Sequence, residues 1–382
     1  MHVEFTEEQE ALRRVVREFA EGEIAPHAAE WDHDHRFPVD VVRQMGELGL
    51  FGIPFPARYG GGDGDLTTLC IAIEELARVD QSIAITLEAG VGLGANPIYR
   101  FGTEEQRETW LPDLVAGRAL GGFGLTEPEA GSDAGGTRTT ATLDEAAGEW
   151  VIDGEKAFIT NSGTEITSLV TITARTGPGE ISTIIVPSGT PGFEVQPPYR
   201  KVGWRASDTH GLTFTGCRVP EANLLGARGR GFAQFLEVLD EGRIAIAALA
   251  VGCIQGCLDH CLAYAADRHA FGRPIGTNQG VAFPIADLAV MAETARLLTY
   301  QAAWKRDTGQ PFTQAAAMAK LHATEAAVTA TRIATQVFGG YGFMDETPVG
   351  RFYRDAKILE IGEGTSEVQR LVISRALGLP VR

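Results

Sequence analysis

The 382-residue sequence predicts a mixed α and β, multidomain protein, built as helices, then strands, then helices. Three observations carry that reading. Residues 1–120 show apolar residues at helical spacing behind capping signals. Residues 121–225 break into short β-rich runs separated by proline and glycine, as in a small β-barrel or sandwich. Residues 226–382 return to helical spacing in three long stretches and a shorter one, the pattern of a four-helix bundle.

In the first part, Thr6-Glu7-Glu8-Gln9 reads as a capping box, with Leu12, Val15, Val16 and Phe19 behind it. A second helix is expected over about Val39 to Leu48, and others from Leu66 to Ala77, through the eighties, and after Thr103-Glu104-Glu105-Gln106. In the middle part, Asp153-Gly154 lies between alternating segments and reads as a hairpin turn. Further strands are expected at Leu169–Ala174, Ser182–Val186, Phe193–Gln196 and Leu212–Phe214. In the last part the long helices cover about Phe232–Arg268, Asn278–Lys305 and Thr313–Phe338, with Pro284 implying a kink or a late start in the second. The final helix is expected from Ser366, whose spacing to Gln369 is that of a capping box.

Net charge is −17, which argues against nucleic acid or an anionic membrane as the main partner, since both require a cationic face. The N-terminus lacks the apolar core of an export signal, and no apolar run reads as long and charge-free enough to span a bilayer. Five cysteines, an odd number, then imply reduced thiols and a cytoplasmic protein. Cys253, Cys257 and Cys261 recur every fourth residue on one helical face. That fits a buried helix–helix contact better than a thiolate metal site, so no metal is assigned.

The stretch with the most chemistry in it is Ile361-Gly362-Glu363-Gly364-Thr365-Ser366-Glu367-Val368-Gln369-Arg370. It sets one carboxylate between two glycines just before a helix. The helix N-terminus favours the ionised form, while burial against a ligand would raise its pKa toward neutrality, as a general base requires. Taken alone, the decapeptide fits a loop glutamate at a helix start better, since capping motifs are common.

Two further stretches complete a constellation: Gly124-Leu125-Thr126-Glu127-Pro128-Glu129-Ala130-Gly131-Ser132-Asp133-Ala134-Gly135-Gly136, and Gln336-Val337-Phe338-Gly339-Gly340-Tyr341-Gly342-Phe343 with Glu346, Arg351 and Asp355 after it. With Glu363-Gly364-Thr365, these resemble the acyl-CoA dehydrogenase family. Lys201-Val202-Gly203-Trp204-Arg205-Ala206-Ser207, Arg268-His269-Ala270-Phe271-Gly272 and Arg354-Asp355-Ala356-Lys357 resemble family segments in the same order.

The resemblance implies FAD as cofactor, an acyl-CoA thioester as substrate and an electron-transfer flavoprotein as acceptor, in a homotetramer whose neighbouring subunit completes each flavin site. No G-x-G-x-x-G fingerprint opens a helix after a strand, so the flavin would not sit in a Rossmann fold. The isoalloxazine would be lined by Phe123, Leu125, Thr126, Ser132, Phe158 and Thr160, with Thr365 and Glu367 close by. Arg268, Phe271, Gln279, Gln336 and Gly340 would reach the adenine and pyrophosphate end from the partner chain. Phe158 stands where many relatives have tryptophan, which keeps an aromatic wall and loses the indole donor. Glu363 would take the α-proton as hydride leaves the β-carbon for flavin N5, giving a trans-2-enoyl-CoA. Ser132, Asp240, Arg243, Gly364 and Arg375 would lie near the CoA moiety, although Asp240 and Arg243 fit an ordinary helix pair as well.

Some relatives carry the base on the first bundle helix, where this chain has Gly242. Glu241, one residue earlier, is turned by about 100° and expected to face solvent. Gly362 replaces a tyrosine of many straight-chain relatives, which widens the pocket. Glu88, if it points inward, disfavours long apolar tails. Together they lean toward a short or branched acyl chain. The alternatives are an acyl-CoA oxidase or desulfinase of the same fold, or a non-catalytic acyl-CoA-binding scaffold. A DNA-binding relative is disfavoured by the acidic balance.

Overall fold

A computed structural model describes residues Phe5–Val381. Seven α-helices come first: α1 (Glu7–Phe19), α2 (Ala28–Asp34), α3 (Val39–Glu47), α4 (Leu66–Ala77), α5 (Gln81–Glu88), α6 (Asn96–Phe101) and α7 (Glu104–Val115). Both expected capping boxes are formed, Thr6 with Gln9 and Thr103 with Gln106. Helix α2, not expected, is short and ends at His35 in the left-handed region. A π-helical stretch, Ala89–Ala95, follows α5 directly and bends the chain just after Glu88.

Eight strands form the middle: β1 (Leu120–Gly124), β2 (Thr140–Asp144), β3 (Glu149–Thr160), β4 (Thr167–Gly177), β5 (Glu180–Pro187), β6 (Phe193–Val195), β7 (Thr209–Pro220) and β8 (Leu224–Leu225). They make one sheet in the order β6-β7-β3-β2-β4-β5-β8, with β1 parallel to β4. The Asp153-Gly154 hairpin is not there. Residues 149–160 are a single strand, and Gly154, at φ +148°, marks a shift in its register against β7. A Cβ at Gly154 would come within 2.5 Å of Thr139 Oγ1, so the glycine answers a close approach of neighbouring backbone, not a turn.

The last part holds α8 (Gly231–Asp267), α9 (Gln279–Asp307), α10 (Thr313–Phe338), α11 (Pro348–Ala356) and α12 (Ser366–Ala376). Helix α9 starts at Gln279 and runs through Pro284, so there is no late start. Helix α8 is long and apolar enough to cross a membrane, contrary to the sequence expectation, but most of its apolar window is buried as the central helix of the bundle. Cys253, Cys257 and Cys261 are free and buried in it. One apolar core joins the N-terminal helices to the bundle, and a second fills the sheet.

Helix α11 ties the parts together. Arg354 donates to Asp32 of α2, at 3.0 Å from Nη1 to Oδ1, and Asp355 Oδ1 accepts from the backbone N–H of Trp204 at 2.6 Å. Arg351 Nη2 donates to the Val79 carbonyl at 3.0 Å. Burial lifts the Asp355 carboxyl to about 7.

Candidate active site

The Glu363 loop leaves a 3₁₀ turn at Lys357–Glu360 and enters α12. The cap is Thr365, whose hydroxyl accepts from the Val368 N–H at 3.3 Å, not Ser366, which is the first helical residue and has a buried, unpartnered Oγ. Glu363 sits at φ +51°, a conformation that costs a non-glycine residue about 1–3 kcal/mol and persists only when its surroundings enforce it. Three of the seven described non-glycine residues with positive φ are Phe158, Phe271 and Glu363, all singled out from sequence.

The strained backbone turns the carboxylate inward. Glu363 Oε2 is buried and has no hydrogen-bond partner. A Cβ on Gly242 of α8 would lie 2.3 Å from that oxygen and 3.6 Å from Glu88 Oε1. Gly242 therefore leaves the space that the Glu363 carboxylate occupies. Glu88, at the end of α5, is fully buried and does point inward, toward Glu363.

Two carboxylates can only accept, so their pairing requires a proton between them. Burial drives Glu88 well above the ordinary carboxylate range, and the charge of Glu363 pushes it the same way. Glu88 is the protonated partner and faces Glu363. Burial also raises Glu363, against the lowering influences of the Glu88 proton, Lys320 and Arg243. The result is a carboxylate of raised basicity whose Oε2 has no hydrogen-bond partner.

Arg243 is buried and pairs with Asp240 one turn back on α8; Asp240 also accepts from Thr313 Oγ1 at 2.8 Å. The pair exists, and Arg243 still carries its charge toward Glu363. Glu241 does not face solvent: it accepts from Arg306 Nε at 3.2 Å and from Asn96 Nδ2 at 3.1 Å. The carbonyl of Gly364 accepts from Gln369 Nε2 at 2.8 Å. Arg375 is exposed in the last turn of α12, away from this cluster, and Glu367 is exposed in the first turn.

The residues singled out for a flavin fall into two groups. In the first, Phe123 and Leu125 of the β1 edge are buried, and Phe123 stacks on Phe235 of α8 with ring centroids 3.8 Å apart. Thr126 and Thr160 are half-buried, Ser132 is exposed, and the Thr126 carbonyl accepts from the Ala157 N–H at 2.9 Å. Phe158 is 64% exposed and tilts against Tyr199 at 5.1 Å. The intervening loop is anchored by a pair that sequence reasoning missed: Lys156 Nζ donates to Glu127 Oε1 at 2.7 Å, with both side chains buried.

In the second group, Arg268 lies 5.6 Å from the Tyr341 ring, and Phe271 is 98% exposed. Gln279, Gln336 and Gly340 are exposed, with nothing within 4 Å of a Cβ built on Gly340. The ends of α8 and α10 meet here through Tyr264 stacked on Phe338 at 4.1 Å. The two groups lie toward opposite ends of α8, a helix of 37 residues and so about 55 Å long. A single FAD cannot bridge that span.

Each group fits its half of a flavin dinucleotide in chemistry. An exposed aromatic beside hydroxyls and backbone amides suits a flat ring with polar edges. An arginine beside open glycines and polar side chains suits a pyrophosphate and its base. Phe123 is the exception, since its ring is already spent on Phe235 and only its backbone remains available.

Models of three family domains match this chain: acyl-CoA dehydrogenase N-terminal domain over residues 6–118, middle domain over 122–217 and C-terminal domain over 229–378. The chain is 50% identical over 380 residues to a probable acyl-CoA dehydrogenase, YngJ, of Bacillus subtilis, covering 99% of this chain and 100% of that one. Its fold is similar to butyryl-CoA dehydrogenase from Megasphaera elsdenii, with TM-score 0.96 and 41% identity over 99% and 100% of the two chains. It is equally similar to a chain in the structure of the electron transferring flavoprotein of Acidaminococcus fermentans, with TM-score 0.96 and 42% identity over 99% of each.

Proposed function

The chain belongs to the acyl-CoA dehydrogenase family of FAD-dependent oxidoreductases, and from that premise we propose that it desaturates a short or branched acyl-CoA with Glu363 as the base. The observation that carries the base assignment is the buried Glu363 Oε2, unpartnered and turned into the space beside Gly242. An acyl α-carbon placed there would lose its proton to that oxygen. FAD, when bound, supplies the two-electron oxidant that accepts the β-hydride, and the Cα–Cβ bond becomes double. The Glu363 backbone N–H is the chain's own donor for the thioester oxygen as charge gathers on it; a donor of this kind contributes about 2.7–4 kcal/mol.

Glu88 supports the short or branched preference. A buried carboxylic acid at the inner end of α5 is a poor neighbour for an extended alkyl tail. Butyryl-CoA dehydrogenase, among the similar structures, is named for a four-carbon acyl substrate, which favours the same reading.

Thr126, Ser132, Phe158, Thr160 and the backbone of Phe123 and Leu125 would hold the flavin ring, with Thr365 and Glu367 near it. Arg268, Phe271, Gln279, Gln336 and Gly340 of a second copy would hold the adenine end. The separation of these groups along α8 is what argues for at least a dimer; a homotetramer would pair two such dimers. Ser132, Asp240, Arg243 and Gly364 would border the thioester, and Arg375 would meet only the outer part of CoA. Residues 1–120 would form the helical N-terminal domain, residues 121–225 would contact flavin and substrate, and residues 226–382 would carry the base and the contacts between copies. Electrons would leave to an electron-transfer flavoprotein, and five buried free thiols suit a cytoplasmic setting.

The test is an anaerobic titration of the FAD-loaded protein with butyryl-, isovaleryl-, octanoyl- and palmitoyl-CoA, following flavin absorbance. Rapid bleaching by butyryl- or isovaleryl-CoA is expected, with palmitoyl-CoA inert. Bleaching by palmitoyl-CoA alone, or by none, would overturn the reading. Hydrogen peroxide formed without an added acceptor would mark an oxidase instead.

A further inference from the structure

Helix α10 carries a lysine that neither the fold nor the proposed reaction has yet used. Lys320 is 1% exposed, and Ala316, Ala317, Ala319 and Ala323 around it are all buried. Its ammonium has three N–H donors, and all three are committed. Nζ donates to the carbonyls of Leu359 at 3.2 Å, Gly362 at 2.7 Å and Gly364 at 2.6 Å. The last two are the residues immediately before and after Glu363. Among the described residues, no carboxylate forms an ion pair with Lys320.

That arrangement does two separable things. Three bonds to one short loop fix the peptides on either side of Glu363, so they hold its left-handed backbone in place. They also set an unneutralised cation behind the carboxylate. The charged and titratable groups facing Glu363 are Glu88 from α5, Arg243 from α8 and Lys320 from α10. Glu88 is neutral when protonated, and Arg243 is balanced by Asp240. Lys320 is the one of these two cations with no carboxylate bonded to it.

We infer that Lys320 is a positioning residue for the base: its three carbonyl bonds aim the Glu363 carboxylate, and its charge keeps that carboxylate ionised in a buried site. The inference rests on the assignment of Glu363 as base. Burial pulls Lys320 itself down to about 8, with Glu363 acting against that pull, so the lysine is still charged at neutral pH. An ordinary helix-to-loop staple would need the bonds but not the charge.

The experiment compares the FAD-loaded wild type with Lys320→Gln and Lys320→Met, using butyryl-CoA and an artificial acceptor. Lys320→Gln keeps two N–H donors and removes the charge. Its acid limb in the pH profile of kcat/KM should move up by about one unit, because an opposite charge nearby had held the base down. The carboxylate infrared band that disappears in Glu363→Gln should titrate at the same higher pH. Lys320→Met also loses the donors, and kcat should fall by about 10²-fold from misplacement, with KM changed little.

A Lys320→Gln protein whose acid limb and infrared titration stay in place would overturn the inference. If Lys320→Gln does not fold, Lys320→Arg decides: an unmoved limb with reduced kcat supports the role of charge, and a raised limb contradicts it. If Glu363→Gln reacts at the wild-type rate, the base assignment itself has failed. If Glu363→Gln is slow and the Lys320→Gln limb is unmoved, only the present inference has.

Discussion

Two buried lysines stand beside two buried glutamates, and the pairs are used in opposite ways. Lys156 donates directly to Glu127 Oε1 at 2.7 Å, with Thr173 Oγ1 at 3.1 Å as a further acceptor. Lys320 gives its donors to backbone carbonyls and leaves the Glu363 oxygens alone. Both lysines are drawn down to about 8 by burial. The carboxylates diverge: burial works to raise Glu127, but Lys156 and the Arg138 and Thr139 amides hold it below its ordinary value, whereas Glu363 ends above. A carboxylate bonded to a cation is spent as a base and serves as an anchor. One that faces a cation bonded elsewhere is held in place and still reactive.

The largest expected effect breaks the first pair. Lys156→Met leaves Glu127 buried without its cation and should lower unfolding free energy by about 3–5 kcal/mol near neutral pH, read by denaturant titration. The folded Glu127 pKa is depressed, so its stabilisation exists above its ordinary value of 4.5 and fades as pH falls below it. The gap between variant and wild type should therefore narrow in acid.

Next comes the room beside the second pair. Gly242→Ala puts a methyl 2.3 Å from the original position of Glu363 Oε2, so the carboxylate must move. Stability should fall by about 1–3 kcal/mol, the usual range for overpacking, and flavin bleaching by butyryl-CoA should slow by at least ~10-fold. Glu88→Gln is the smallest change, since the amide keeps a donor toward Glu363. Glu88 has a raised folded pKa, so its contribution is complete below its unfolded value and is lost as pH rises through the folded one. Wild-type Tm should thus drop more than the variant's as pH rises above 4.5, and matching curves would place Glu88 outside the shared-proton pair.

How much of this was legible in sequence follows from what each signal measures. Helical periodicity places α4, α8 and α10 almost to the residue, because those helices have long buried faces. Asp153-Gly154 misled because the same dipeptide suits a turn and a bulge, and only the close approach of Thr139 distinguishes them. Thr365 was passed over as a cap for Ser366, one residue on, where spacing to a glutamine happened to match.

At the site, Glu363 is visible from its glycines and its place before a helix. Lys320 was missed because a lone lysine in a helix usually marks a wet face. The clue was there: Ala316, Lys320, Ala323 and Ala327 share one stripe, and the three alanines are all buried. That the Glu127–Lys156 pair and the Glu88–Glu363 pair meet depends on chain crossings separated by more than 25 residues, which local patterns do not encode.

The most direct measurement is stopped-flow reduction of the bound flavin by butyryl-CoA in wild type and Glu363→Gln under anaerobic conditions. The account predicts that the variant binds the thioester with similar affinity and bleaches at least ~100-fold more slowly, the usual consequence of removing a general base. Bleaching at the wild-type rate would contradict it.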